Sequence, residues 1–492
     1  MKYFIAIQLV ILQVSVLSQE PILTLDPEIK KANQFYESIS FIHKASQLTE
    51  FILALAEENK VNFYLLDNTW RVINQFSGKR EWVTYQSVYE DYNRYITKSN
   101  ISFSKDFKSI GTINTGNKLF ITAFQRNHNI YFQQLDFATG TSKNLILWKA
   151  PDTEKILHAF NFKNKFYWIT YSKKKDDIIN LYISNEAGKT QVKNYSIRNL
   201  ITPAFHYSAG SSAIGSDFID SDKKVDLLKA SARIKFYAQN NSFYIVSDDI
   251  MGKTYITDVN LDNFEETNYF IEHKPACITG SISNQNSFLL KDHLLQVNVC
   301  NGTFTFRIIN LSNKQEVTYS IDKNSEIHFK NSDMMQYGKT LFNPDEKKLN
   351  KTSQFIRKVD SEGLSVLAEV VDSAFEITMG SSEMIQTGGG GSSHIPGGSV
   401  TGPDGQRISL PGTWVSRDFY DQSTRTIFFK SLFDKNDLRH LDKALSPDDK
   451  LKLIDEFYTK RKVGAINHII NEGKVITGYY DKDLKKFIVI RF

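Results

Sequence analysis

One element recurs along this chain and limits what it can fold into. It is a hairpin: an apolar strand, a short polar tip, then a second strand rich in aromatic residues. It reads TEFILALAEENKVNFYLLD from Thr49, NKLFITAFQRNHNIYFQQLD from Asn117 and NKFYWITYSKKKDDIINLYIS from Asn164. It returns as NSFYIVSDDIMGKTYITDVN from Asn241, NSFLLKDHLLQVNV from Asn286, LSVLAEVVDSAFEITM from Leu364 and GKVITGYYDKDLKKFIVIRF from Gly473. Asn, Gly, Asp and Lys clusters punctuate the runs, as turns between strands require.

Several copies carry a further strand on each side. The stretch from Phe107 shows four in a row: FKSIGTI, KLFITAF, IYFQQLD and NLILWKA. One four-stranded unit leaves both its faces apolar, so each must stack on a neighbour. Four-stranded units repeated in this way resemble β-propellers. The resemblance covers most of the chain and implies an all-β, seven-bladed β-propeller with long loop insertions. Seven units take about 68 residues each, above the roughly 45 of a bare blade, and the surplus reads as insertions. The last copy stops at Phe492 after three strands. The segment PILTLD (Pro21–Asp26) is the candidate fourth, closing the ring and covering its edge. An eight-bladed ring or two smaller β domains are the alternatives. No tryptophan is followed by Asp, and neither a kelch double glycine nor a sialidase Asp box occurs. No family's active site therefore carries over.

The apolar run Tyr3–Leu17 after Lys2, followed by Ser18-Gln19-Glu20, has the form of a secretory signal peptide cut after Ser18. It is short for a bilayer span. The expected organisation is a signal peptide over 1–18 and a single propeller domain over 19–492. Richness in Lys, Asn, Ile and Phe and the VLSQE junction resemble a periplasmic protein of a Gram-negative bacterium, with an extracellular location as the alternative. Sixty basic against 55 acidic residues leave a net charge of +5, too balanced to point to nucleic acid. The two cysteines, Cys277 and Cys300, are a candidate disulfide, with two buried thiols as the alternative.

Two insertions stand out. The stretch QTGGGGSSHIPGGSVTGPDGQRISLPGTW (386–414) lies between strands of one blade. It is no P-loop, because no lysine follows the glycines and no helix follows the loop. Polyglycine is costly to order, so the segment is expected to be mobile alone, either as a tolerated surface loop or as a segment that orders on a partner. Gly388, Gly389, Gly390 and Gly391 permit close backbone approach, and His394, Ile395, Ile408, Leu410 and Trp414 are candidate partner-binding positions. A helical insertion is expected over 436–462 before the last blade. Its helix is SPDDKLKLIDEFYTKRK, with Ser446 as N-cap, Pro447 in the first turn and basic residues in the last.

Catalytic signatures are missing from the sequence. The ten histidines are scattered without HExxH or zinc spacing, and no G-x-S-x-G elbow occurs. The acids Asp217, Asp220, Asp222 and Asp226 resemble a calcium loop but lack its glycine and terminal glutamate. No catalytic residue, cofactor or metal ligand is assigned. The reading is a non-enzymatic exported module that docks by its loops on an envelope or outer-membrane protein complex. A glycine-rich loop on a rigid disc is similar to what periplasmic accessory or plug subunits of translocons such as type IX secretion would use. The alternative is a secreted propeller hydrolase or glycan-binding protein working through its central channel.

Overall fold

The computed structural model describes residues 21–27, 40–44, 50–56, 60–79, 81–90, 93–102, 108–126, 128–172, 177–184, 190–200, 216–219, 225–274, 282–338, 346–361, 363–371, 373–386, 392–395, 399–401, 407–409, 413–416, 422–445, 463–471 and 474–491. These fall into two compact units: 1–202 with 220–224 and 446–492, and 203–219 with 225–445. Among the described residues, seven sheets have four or five strands.

The first unit holds four of them. Sheet A orders Leu23–Leu25, Lys486–Arg491, Lys474–Asp481 and Val463–Asn471. The N-terminal strand thus completes the last hairpin, with Leu23 opposite Val489 and Leu25 opposite Phe487. Sheet B is the meander Ser40–Lys44, Phe51–Ala56, Lys60–Leu66 and Val72–Lys79. Sheet C runs Lys108–Gly116, Leu119–Arg126, Asn129–Asp136 and Thr141–Lys149. Sheet D runs Glu154–Phe162, Lys165–Ser172, Ile178–Ser184 and Thr190–Ser196.

Burial explains the continuous apolar runs. In FILALA, the alternate residues Phe51, Leu53 and Leu55 pack with Tyr480, Phe487 and Val489 of sheet A. Their neighbours Ile52 and Ala54 pack with Phe120, Phe124 and Tyr131 of sheet C. Sheet C in turn covers sheet D through Phe132, Phe166 and Trp168. A strand covered on both faces loses the simple apolar–polar alternation, and each large apolar side chain so buried contributes about 1.5–3 kcal/mol.

The second unit repeats the scheme. Sheet E comprises Ile234–Gln239, Ser242–Ser247, Lys253–Asn260 and Glu266–Glu272, with Ser216–Ile219 added in parallel. Sheet F comprises Ile282–Leu290, His293–Cys300, Thr303–Asn310 and Glu316–Asp322, and all eight residues of His293–Cys300 are buried. Sheet G orders Glu346–Leu349, Met334–Tyr337, Gln422–Asp434, Ala374–Gln386 and Leu364–Val371. Tyr237 meets Phe288 between sheets E and F, and Phe306 meets Phe433 between F and G. Stacked four-stranded antiparallel meanders are the architecture of the β-propeller class. The helix Thr352–Ser361, which the sequence reading did not anticipate, packs Phe355 onto Phe304 and Phe429.

Two turn types recur and set the register. Asn117–Lys118, Lys163–Asn164 and Asn240–Asn241 each have φ between 43° and 66° at both positions. That is the type I′ geometry favoured in two-residue hairpins. The second turn begins with an Asx side chain that accepts a backbone N–H two residues on. It occurs at Asp67, Asp136, Asn260, Asn310, Asp434 and Asp481, in sheets B, C, E, F, G and A. It ends in a left-handed residue: Trp70, Gly140, Phe264, Lys314, Leu438 and Lys485, respectively. The Thr69 hydroxyl and the Arg71 amide hold the Asp67 carboxyl below its ordinary range. The Thr139 and Asn436 amides do the same for Asp136 and Asp434.

Only one of these six left-handed residues is glycine. Lys314 is exposed with φ 63°. Lys314→Gly should therefore raise stability by about 0.5–1 kcal/mol, the relieved strain less glycine's added freedom in the unfolded chain. Urea unfolding would show it as a higher midpoint with an unchanged slope.

Of the insertion expected over 436–462, only the part before its helix is described. Residues 436–445 are a turn and an extended segment, with Phe433 bridged to His440. The Asn331 amide donates to the carbonyls of Leu441 and Lys443, at 2.7 and 2.8 Å, and its oxygen accepts from Leu432 N and meets His440 Nε2. Those bonds hold the segment extended against sheet G. The helix itself, expected at Ser446–Lys462, lies outside the described residues.

Candidate functional site

The glycine-rich insertion grows from the centre of sheet G. Ala374–Gln386 and Gln422–Asp434 pair along their full lengths, from Ala374 opposite Asp434 to Gln386 opposite Gln422. Lys430 to Glu376 at 2.8 Å and Arg425 to Glu383 at 2.5 Å tie this stem across its strands. Gly380 lets the strands close: a Cβ there would stand 1.8 Å from the Ile427 carbonyl oxygen.

Beyond the stem, the segment expected as a loop carries strands. Ser392–Ile395 pairs with Thr413–Ser416, and Ser399–Thr401 pairs with Arg407–Ser409. His394 lies in register with Trp414, Ile395 with Thr413, and Ile408 with Val400. The β-branched and aromatic residues among the glycines explain this correction: Val400, Thr401, Ile408, Thr413, Trp414 and Val415 all favour strands. Gly388, Gly389, Gly390, Gly391 and Leu410 lie outside the described residues. Among the described residues these four strands pair only with one another. The sequence reading also passed over a second hairpin, Glu81–Glu90 with Asn93–Ser102, which among the described residues pairs only with itself, although its Val, Thr and Tyr content carried the signal.

Cys300 ends a central strand of sheet F, is fully buried and is disulfide-bonded. Cys277, the only other cysteine of the chain, lies outside the described residues. A loop of this length lends about 3 kcal/mol to the folded state. Reduction should lower the thermal midpoint, and Cys300→Ser should do so in oxidised protein too. An unchanged midpoint in both would remove the bridge from the account.

A buried polar network lies in sheets E and F. Asp248 is paired with Lys235 Nζ at 3.1 Å, and both are fully buried. Asp248 also accepts from Ser287 N and Oγ, each at 2.8 Å, and from Thr254 Oγ1 at 2.8 Å. His273 Nε2 lies 3.0 Å from the Thr254 hydroxyl, which further accepts from Gln296 at 3.1 Å. Burial pushes the Asp248 carboxyl up, but Lys235, His273 and Thr254 together hold it well below the usual range. Asp, His and hydroxyl groups thus meet here, but in the wrong order for nucleophilic catalysis. Ser287 bonds the carboxylate rather than the imidazole, and every member is buried. The network ties the two sheets together.

Among the described residues no group of three His, Cys, Asp or Glu side chains could hold a metal ion. In the acidic stretch, Asp226 caps the one-turn helix Leu227–Ala230 and Asp217 lies on Ser216–Ile219. Asp220 and Asp222 lie outside the described residues. No described helix is long and apolar enough to cross a membrane.

No family model matches the chain, and no curated protein matches it. Among solved structures, the WD40 domain of SCAP from fission yeast is matched at 7% identity, over 84% of this chain and 98% of that one, with a TM-score of 0.28. Hsv2 from Kluyvelomyces marxianus is matched at 9% identity, over 89% and 93%, with a TM-score of 0.28. Prolyl oligopeptidase B from Galerina marginata is matched at 8% identity, over 90% of this chain and 46% of that one, with a TM-score of 0.27. No residue of this chain takes a role from these likenesses.

Proposed function

We propose that the protein is a non-enzymatic interaction module whose stacked sheets present β-hairpin arms to a protein partner. The observation that carries this reading is the nested ladder borne by sheet G. A two-stranded ribbon is only marginally stable in water, and its outer edges offer unpaired N–H and C=O groups. A partner that adds a strand or a covering surface satisfies both needs. The long, ion-paired stem fixes where the ladder starts, so a partner meets a positioned arm rather than a free tail. The apolar run before Ser18 supports an exported protein and hence a partner in the cell envelope. Docking on a protein-export complex is one form such a role takes.

The test is a variant lacking 387–421, with Gln386 joined to Gln422 by an Asn-Gly turn. The full chain should recover a stoichiometric complex from detergent-solubilised envelopes, and the variant should recover at least tenfold less at equal folded amount. Equal recovery by both would sink the arm as the docking element.

A further inference from the structure

We propose that the first unit carries a binding site for a cationic group, a guanidinium or an ammonium, where Glu154 bonds the hydroxyl of Tyr182, whose ring packs against Trp148. This site is independent of the hairpin arms and nothing in the preceding reading requires it.

Strand pairing assembles the site. Trp168 and Tyr182 are directly opposed in sheet D, and their rings stack at 5.6 Å with an interplanar angle of 1°. Trp148, from the last strand of sheet C, closes on both, 5.0 Å from Trp168 and 4.7 Å from Tyr182. Glu154 opens the first strand of sheet D, two residues before Ile156, which is registered to Thr170. Its carboxylate accepts from Thr170 Oγ1 at 2.5 Å and from the Tyr182 hydroxyl at 3.1 and 3.0 Å. Asn180 donates to Thr170 Oγ1 at 3.1 Å, and Asn194 donates to Asn180 at 2.6 Å. A chain of side chains across the sheet therefore fixes where the carboxylate stands.

The charge is what this chain leaves unanswered. Every donor to Glu154 is a neutral hydroxyl, and among the described residues no lysine, arginine or histidine pairs with it. Lys155 is the adjacent residue on the strand and alternation turns it to the other face. Burial first, then the bond to Glu154, push the Tyr182 phenol up, so the hydroxyl keeps its proton and remains a donor. Trp148, Glu154 and Tyr182 are each half-buried rather than sealed. A fixed, half-buried carboxylate bonded to the hydroxyl of a ring in an aromatic cluster is chemistry that selects cations. The rings contribute through their quadrupoles and the carboxylate through a charge-assisted hydrogen bond.

The experiment follows the intrinsic tryptophan fluorescence of the full chain. It is titrated with N-acetyl-arginine methylamide, N-acetyl-lysine methylamide and tetramethylammonium. N-acetyl-citrulline methylamide is the neutral control, with the shape of arginine. A saturable change is expected with the cations and not with citrulline. Glu154→Gln, which keeps the shape and the acceptor, should weaken it at least tenfold. Trp148→Leu should abolish the signal, while both variants keep the parent's thermal midpoint within a few degrees. Preference for the arginine or lysine probe would assign the site to a partner's side chain. Preference for tetramethylammonium would assign it to a small quaternary ammonium. An equal response to citrulline, an unaffected Glu154→Gln, or no saturable change with any cation would overturn the proposal. None of these outcomes depends on residues 387–421, so this site and the docking arm fail separately.

Discussion

Asp248→Asn should cost about 3–5 kcal/mol of stability, because it strands the Lys235 ammonium without a counter-charge in a fully buried position. The loss should appear in urea unfolding as a lower midpoint. The pair itself need not be stabilising, since both charges are taken out of water to form it. The double variant Lys235→Met, Asp248→Asn should therefore recover part of the loss, and the non-additivity measures the coupling. The carboxylate also has a pH signature. Its folded pKa is depressed, so its contribution is fully present above the ordinary aspartate value of about 4. It is lost as pH falls toward the lower folded value. Acid unfolding of the parent should carry this dependence, and Asp248→Asn should flatten it.

Gly380→Ala should be nearly as damaging, at about 3 kcal/mol or more. The methyl group would stand 1.8 Å from the Ile427 carbonyl oxygen and 2.8 Å from the Phe428 Cα, both on the paired strand. Backbone cannot swing aside as a side chain can, so the central strands of sheet G must separate. The ladder beyond them would lose its fixed base. Protease cleavage between Gln386 and Gln422 should accelerate in this variant, together with the fall in thermal midpoint. A parent-like midpoint would show that the strands do not approach as closely as the stem requires.

Much of this architecture is legible in the residues. The seven hairpins stand out because strands covered on both faces read as apolar or nearly apolar runs, unbroken in FILALA and interrupted by the buried Gln296 and Asn298 in HLLQVNV. The N-terminal strand is legible from arithmetic, since the last hairpin lacks an edge partner that Leu23–Leu25 supplies. Other features escape for physical reasons. The ladder within 386–414 hides because glycine and proline dominate its composition while only a few β-formers set its pairing. The parallel strand Ser216–Ile219 is four residues long, too short for a period to show. The helix Thr352–Ser361 starts without an Asp, Ser or Asn cap and is held by Phe355 against two other aromatic rings. The recurring Asx turn was present all along, in LDNTW, LDFATG, NLDNF, NLSNK, FDKNDL and YDKDLK. Its left-handed residue is usually not glycine, so the ordinary turn signal is absent. The Lys235–Asp248 pair and the Glu154 site are assembled from separate strands, and no local pattern marks a lysine in IKFYAQ as buried.

The central claim is that the ladder from sheet G touches a partner directly, and site-specific photocrosslinking in producing cells tests it most directly. A benzophenone amino acid is placed at His394, Val400 or Trp414 on the ladder, and at Lys314 on an exposed turn of sheet F as the control. The account predicts one crosslinked protein of the same mass from the ladder positions and none from Lys314. Ladder positions that give no crosslink, or the same products as Lys314, would contradict it.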